Sequence, residues 1–165
     1  MNRVWLSLGS NIDRYRHINA ALDALQARFG TLVISPVYES VAVGFEGDNF
    51  LNLVVGIDTG LPVGELATLL KAIEDANGRD RSAPKFSARS LDIDILTYGE
   101  VAGERDGVEL PRDEILKNAF VLAPLTDVAA EECHPLTGRS YAEYWREYDR
   151  GSQTLWRVEF IRQSA

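Results

Sequence analysis

Ser90-Leu91-Asp92-Ile93-Asp94-Ile95-Leu96-Thr97 alternates apolar and polar residues with a period of two. That is the period of a β-strand, and over Leu91 to Thr97 it sets Leu91, Ile93 and Ile95 against a core while both aspartates share the opposite face. The two aspartate backbones then lie about 6.6 Å apart, two residues at roughly 3.3 Å each. Aspartate is a poor strand former and adjacent like charges repel, so a strand interior that carries both has something to gain from them. Side chains at that spacing can lean together and share hard cations, and ions about 3.5–4 Å apart serve phosphoryl chemistry in two-metal sites. The plainer reading is a solvated face, which antiparallel sheets commonly present.

Upstream, Val4-Trp5-Leu6-Ser7-Leu8 is a second strand, turning at Gly9-Ser10-Asn11. Ser10 or Asn11 is placed to cap a helix with Ile18, Leu22, Leu25 and Phe29 at helical spacing, and Gly30 to end it. Leu32-Val33-Ile34 and Val37-Tyr38 flank Pro36, the mark of an edge or bulge. Val41 to Asn49 is loop-like, and Phe50 to Asp58 is a strand with Leu51, Leu53, Val55 and Ile57 on one face, Phe50 and Asn52 on the other. Pro62 opens a helix with an apolar stripe of Leu66, Leu69, Leu70 and Ile73, and Gly78 closes it. The order is βαββαβ, an α+β, ferredoxin-like plan of antiparallel sheet with helices on one face. Phe120 to Val128 and Ser140 to Tyr148 read as short helices, and Trp156, Val158 and Phe160 alternate like a closing strand, a helix and strand extension.

The 165 residues, 45% hydrophobic and 25% charged, read as one domain, 1–165, that buries a core without disulfides. A single cysteine, Cys133, points to a reducing compartment. No apolar run nears the roughly 20 residues of a membrane span, and Met1 to Trp5 lacks a signal-peptide core, so a cytoplasmic location without membrane contact is expected. A net charge of −8 argues against a nucleic-acid partner. His17 and His134 read as surface residues, since no metal-ligand spacing links them to Cys133.

Within this acidic chain, Gly78 to Arg89 carries four cations, Arg79, Arg81, Lys85 and Arg89, against one anion, Asp80. Polyphosphate binding needs both signs close together, magnesium held by acids and guanidinium groups on the remaining oxygens. Standing immediately before the aspartate strand, this loop favours a phosphate site over a merely solvated basic face. Phe50 and Asn52 offer a stacking surface and an amide that both donates and accepts, as a planar heterocycle requires, and Phe120 offers a second ring. On spacing alone, Phe50 and Phe120 read more readily as ordinary core residues.

With these residues in view, the chain resembles the 6-hydroxymethyl-7,8-dihydropterin pyrophosphokinase family of folate synthesis from about residue 4 to residue 130. The resemblance rests on Leu8-Gly9-Ser10-Asn11, Tyr38-Glu39-Ser40, Asn49-Phe50-Leu51-Asn52, Ile73-Glu74, the run from Gly78-Arg79 to Leu96, and Ala119 to Leu125. It implies transfer of pyrophosphate from ATP to a reduced pterin, with Asp92 and Asp94 holding two Mg²⁺. It implies that Arg79 and Arg89 act on the triphosphate, and that Glu74, Arg81, Lys85, Ile95 and Arg112 line the nucleotide site. Ser40, Val41, Val43, Phe50, Asn52 and Phe120 would form the pterin pocket of a monomeric enzyme. The chain departs from the family at Arg112, where a histidine is usual, and at Asn118, where an arginine is usual. It departs again at Phe86, where a tryptophan is common, and at Val41, a frequent proline. Those departures keep two rival readings open: a non-catalytic relative that retains part of the pterin or nucleotide site, and a plain interaction module.

Overall fold

The computed structural model describes residues 1–41, 47–78, 90–151 and 153–162. Its strands are β1 (Asn2–Ser10), β2 (Val33–Ile34), β3 (Val37–Ser40), β4 (Phe50–Thr59), β5 (Asp92–Tyr98), β6 (Gly103–Arg105), β7 (Val108–Leu110) and β8 (Leu155–Val158). The helices are α1 (Arg14–Phe29), α2 (Val63–Ala76), α3 (Glu114–Lys117), α4 (Ala119–Ala129) and α5 (Tyr141–Glu147). One antiparallel sheet runs β5-β1-β4-β3-β8, with β2 also pairing to β4, and β6-β7 is a separate hairpin. None of the described helices is long and apolar enough to cross a membrane.

Sheet alternation divides the interior into two cores. On one face Val4, Leu6 and Leu8 of β1, the odd residues Leu51 to Ile57 of β4, and Ile93 and Ile95 of β5 meet α1 and α2 through Ile18, Leu22, Leu66 and Leu70. On the other, Trp5, Val54 and Leu96 meet Val121, Leu122 and Leu125 of α4 and Tyr141 of α5. Helices therefore cover both faces, where the sequence suggested one. The reason is that Ala119 to Leu125 is apolar all round, so α4 must be buried rather than laid on a surface. Trp5 is pinned there by its Nε1–H, which donates to Glu132 Oε1 at 3.0 Å. Opposite Trp5 in the ladder stands Gly56, where a Cβ would come within 2.5 Å of the indole.

Several local expectations are corrected. Neither Ser10 nor Asn11 caps α1: the Ser10 hydroxyl turns to the Ile12 carbonyl, the Asn11 amide donates to the Asp48 carbonyl, and Asp13 precedes the helix. Gly30, at φ 81°, does close it. Pro62 sits one residue before α2, and Asp106 of the β6-β7 turn accepts from Gly64 N–H at the helix start. Leu91 is buried but precedes β5, and β8 ends at Val158, so Phe160 leaves the strand to stack on Tyr15. Both histidines are buried rather than surface groups. His17 Nδ1 lies 3.0 Å from Asn77 Oδ1, bridging α1 to the end of α2. His134 stands edge-on to Tyr141 and Tyr144, and burial lowers its pKa.

Candidate active site

Among the described residues, the second core covers only half of its sheet face. Beyond Trp5, Val54 and Leu96, the ladder continues through Ser7 to Gly9 on β1, to Asn52 and Phe50 on β4, and to Asp94 and Asp92 on β5. Gly9 lies between Asn52 and Asp92 in register, and Tyr38 of β3 flanks Asn52 on its far side. Two strand spacings, about 10 Å, therefore separate Asn52 from Asp92. Between them only a glycine intervenes, and a Cβ there would stand 3.5 Å from Asn52 Oδ1 and 3.8 Å from Phe50. The floor of the site is bare backbone, with an amide on one side and carboxylates on the other.

Asp92 and Asp94 share that face, as the alternation predicted, close enough for the charge of Asp92 to act on Asp94. Burial, and then the charge of Asp92, push the Asp94 pKa well above the ordinary carboxylate value, with Arg112 acting in opposition. Arg112 arrives from the turn after β7, its backbone N–H donating to the Leu96 carbonyl at 2.8 Å. Its guanidinium lies 3.7 Å from Asp94 and donates from Nε and Nη2 to Glu114 Oε1, at 3.1 and 2.8 Å. Burial works against the Arg112 charge, but Asp94 and Glu114 outweigh it and hold its pKa above the usual value. Glu114, which the sequence reading missed, completes the group. Only its place two residues after Arg112 could have signalled it.

On the opposite side of Gly9, Asn52 is buried and donates from Nδ2 to Ser40 Oγ at 2.8 Å. Phe50 is half-buried, and Val41 is 50% exposed at the rim. Phe120 is half-buried on the first turn of α4, the helix that bounds the open half of the face. Glu74 is buried on α2, and its Oε2 accepts the Ile93 N–H at 2.7 Å, so this carboxylate fastens the outer edge of β5. The Ile95 side chain is 5% exposed in the first core, facing away from the aspartates, so only its main chain is available to a ligand there. Val43, Arg79, Arg81, Lys85 and Arg89 lie outside the described residues.

A carboxylate pair facing a buried amide across a glycine can hold hard cations beside a small polar ligand. The profile of the 7,8-dihydro-6-hydroxymethylpterin-pyrophosphokinase (HPPK) family matches residues 5–130. A 2-amino-4-hydroxy-6-hydroxymethyldihydropteridine pyrophosphokinase from Aquifex aeolicus is 35% identical over 146 residues, 87% of this chain and 91% of that protein. The folic acid synthesis protein fol1 of Pneumocystis carinii is 33% identical over 147 residues, but the chain spans only 20% of its length. In fold the chain is similar to Plasmodium falciparum HPPK-DHPS, solved with SDX-DHP, at a TM-score of 0.68 and 16% identity. That match covers 90% of this chain and 44% of the other. The chain belongs to the HPPK family.

Proposed function

We propose that this chain transfers pyrophosphate from ATP to 6-hydroxymethyl-7,8-dihydropterin, releasing AMP, as a step of folate synthesis. The observation that carries the reading is the pair Asp92 and Asp94 on one face of β5, set across Gly9 from Asn52 and Ser40. The family match and the Aquifex relative support it. We further infer that β1, α1, β3, β4, α2 and β5 form a ferredoxin-like unit, to which β8 and the second helical layer are added. We assign the chain to the cytoplasm as a monomer.

Asp92 and Asp94 suit divalent magnesium. Two carboxyls two residues apart on one strand face, one of them driven toward protonation by burial and by the other's charge, form an oxygen donor set short of positive charge. Asp92 and Asp94 would hold two Mg²⁺, which would supply charge neutralisation for the phosphate groups. The chain's own groups do the rest. Asn52 and Ser40 orient the pterin edge, Phe50 and Phe120 sandwich its ring, and the Gly9 floor lets the ring lie flat against the sheet. Arg112, Arg79, Arg81, Lys85 and Arg89 hold the triphosphate, and Glu74 and the Ile95 main chain flank the nucleotide. The hydroxymethyl oxygen then attacks the β-phosphorus and AMP leaves, a transfer in which positioning and charge neutralisation suffice without an enzyme nucleophile.

The test is release of AMP from Mg-ATP, with and without the pterin. Asp94→Ala is expected to lose on the order of 10²–10³-fold in rate, the scale of removing one preorganised electrostatic group, while remaining folded. A variant that keeps most of its activity removes the carboxylate pair from the chemistry. A second reading, a relative that binds without turnover, is favoured by Arg112, whose guanidinium rests on Asp94 and Glu114. Pterin binding without AMP would select it.

A further inference from the structure

We propose that Gln153, far from the aspartates in sequence, is a positioning residue that sets the separation of the two walls of the pterin slot. The proposal rests on the pocket assignment above. One wall is the first turn of α4, which carries Phe120; the other is the end of β3 at Ser40 and the following Val41. They come from segments some eighty residues apart, and no covalent feature fixes their spacing.

Three consecutive residues join them. Gln153 Oε1 accepts the Ala119 backbone N–H at 2.8 Å, while its Nε2 donates to Asn118 Oδ1 at 3.1 Å and to the Lys117 carbonyl at 3.4 Å. Thr154 follows, and its carbonyl accepts the Val41 N–H at 3.4 Å. Leu155 then pairs in register with Ser40. The side chain at 153 thus grips the turn before Phe120, and the next two residues hold the strand end that orients Asn52 through Ser40.

The grip meets a need of the helix itself. The leading donors of a helix have no partner within it, and Asn118, the residue before α4, makes no side-chain cap bond of its own. Ala119 is fully buried, so its N–H would be stranded without Gln153. The Asn118 side chain is instead committed to Gln153. The cap at this helix start is supplied from the carboxyl-terminal segment, next to the ring that forms one wall.

The experiment compares the full-length parent with Gln153→Ala and Gln153→Glu, reading the KM for pterin and for ATP separately from AMP release, with melting temperatures alongside. Gln153→Ala is expected to raise the pterin KM about tenfold, as losing one positioning hydrogen bond allows, with the ATP KM changed less than about twofold. Gln153→Glu keeps the acceptor for the Ala119 N–H, and Asn118 can turn its amide nitrogen toward the new carboxylate in place of the lost Nε2 donation, so this variant is expected within about threefold of the parent. An unchanged pterin KM in Gln153→Ala, or both KM values rising in proportion, overturns the proposal and leaves Gln153 a structural cap only. A parent that binds pterin without releasing AMP refutes the transfer reaction alone, and the pterin Kd of the same variants then decides, on the same tenfold criterion. A parent that does not bind pterin overturns both.

Discussion

Glu74 offers the sharpest test of how the aspartate strand is held in place. β5 is an outer strand of the sheet, and the Ile93 N–H points away from β1 into the Glu74 carboxylate at 2.7 Å. Replacing Glu74 with alanine removes a charge-assisted bond and strands a donor next to a side chain only 5% exposed. Such a loss costs about 2–3 kcal/mol. At about 2–4 °C per kcal/mol for a chain of this size, the melting temperature should fall by about 4–12 °C. Glu74→Gln keeps an acceptor without the charge, and should lose only about 1 kcal/mol. The assay is thermal unfolding by circular dichroism in EDTA without ligands, joined to amide exchange at Ile93, whose protection should drop in the alanine variant. An alanine variant melting within about 1 °C of the parent, with Ile93 still protected, would refute the reasoning.

Three further outcomes follow from the site and the sheet. With Asp94 raised by burial and by Asp92, the native metal-free protein keeps a proton that the unfolded chain has released. Stability should therefore decline as pH climbs from the ordinary carboxylate value toward the raised one, and the advantage of Asp94→Asn over the parent in EDTA should widen across that window; a constant margin contradicts it. Gly56→Ala should destabilise by about 1–3 kcal/mol in denaturant unfolding, despite the better strand propensity of alanine, because its Cβ meets the indole of Trp5; an unchanged midpoint would mean Trp5 yields freely. Arg112→Gln should tighten Mg²⁺ binding in calorimetry without nucleotide by about threefold, the scale of one partly exposed ion pair, while raising the KM for ATP; weaker metal binding would show that Arg112 does not compete at Asp94.

The legible parts of the molecule are those governed by local periodicity. Alternation put Asp92 and Asp94 on one face, and helical spacing found Ile18, Leu22 and Leu25 on α1 and Leu66 and Leu70 on α2. What escaped depends on partners distant in the chain. Asn52, Val54 and Gly56 look like the outer face of a half-buried strand, and only the arrival of α4 closes part of it. His134 looks like a surface group beside a proline until Tyr141 and Tyr144 stack around it. The Glu74 contact with Ile93 and the Gln153 contact with Ala119 involve side chains whose identities fit many exposed positions equally well. The basic run from Arg79 to Arg89 is read from its charge and from the family resemblance, and lies outside the described residues.

With a helical layer on either side, β4 has only Asp58 fully open to solvent, and neighbouring β1 is nearly as enclosed. Random substitution along these two strands has almost nowhere harmless to land. Altering substrate preference through them would therefore trade away folding yield with nearly every change. Laboratory evolution of this scaffold should draw its useful variation from the rim and the connecting loops, leaving the inner strands as a fixed template.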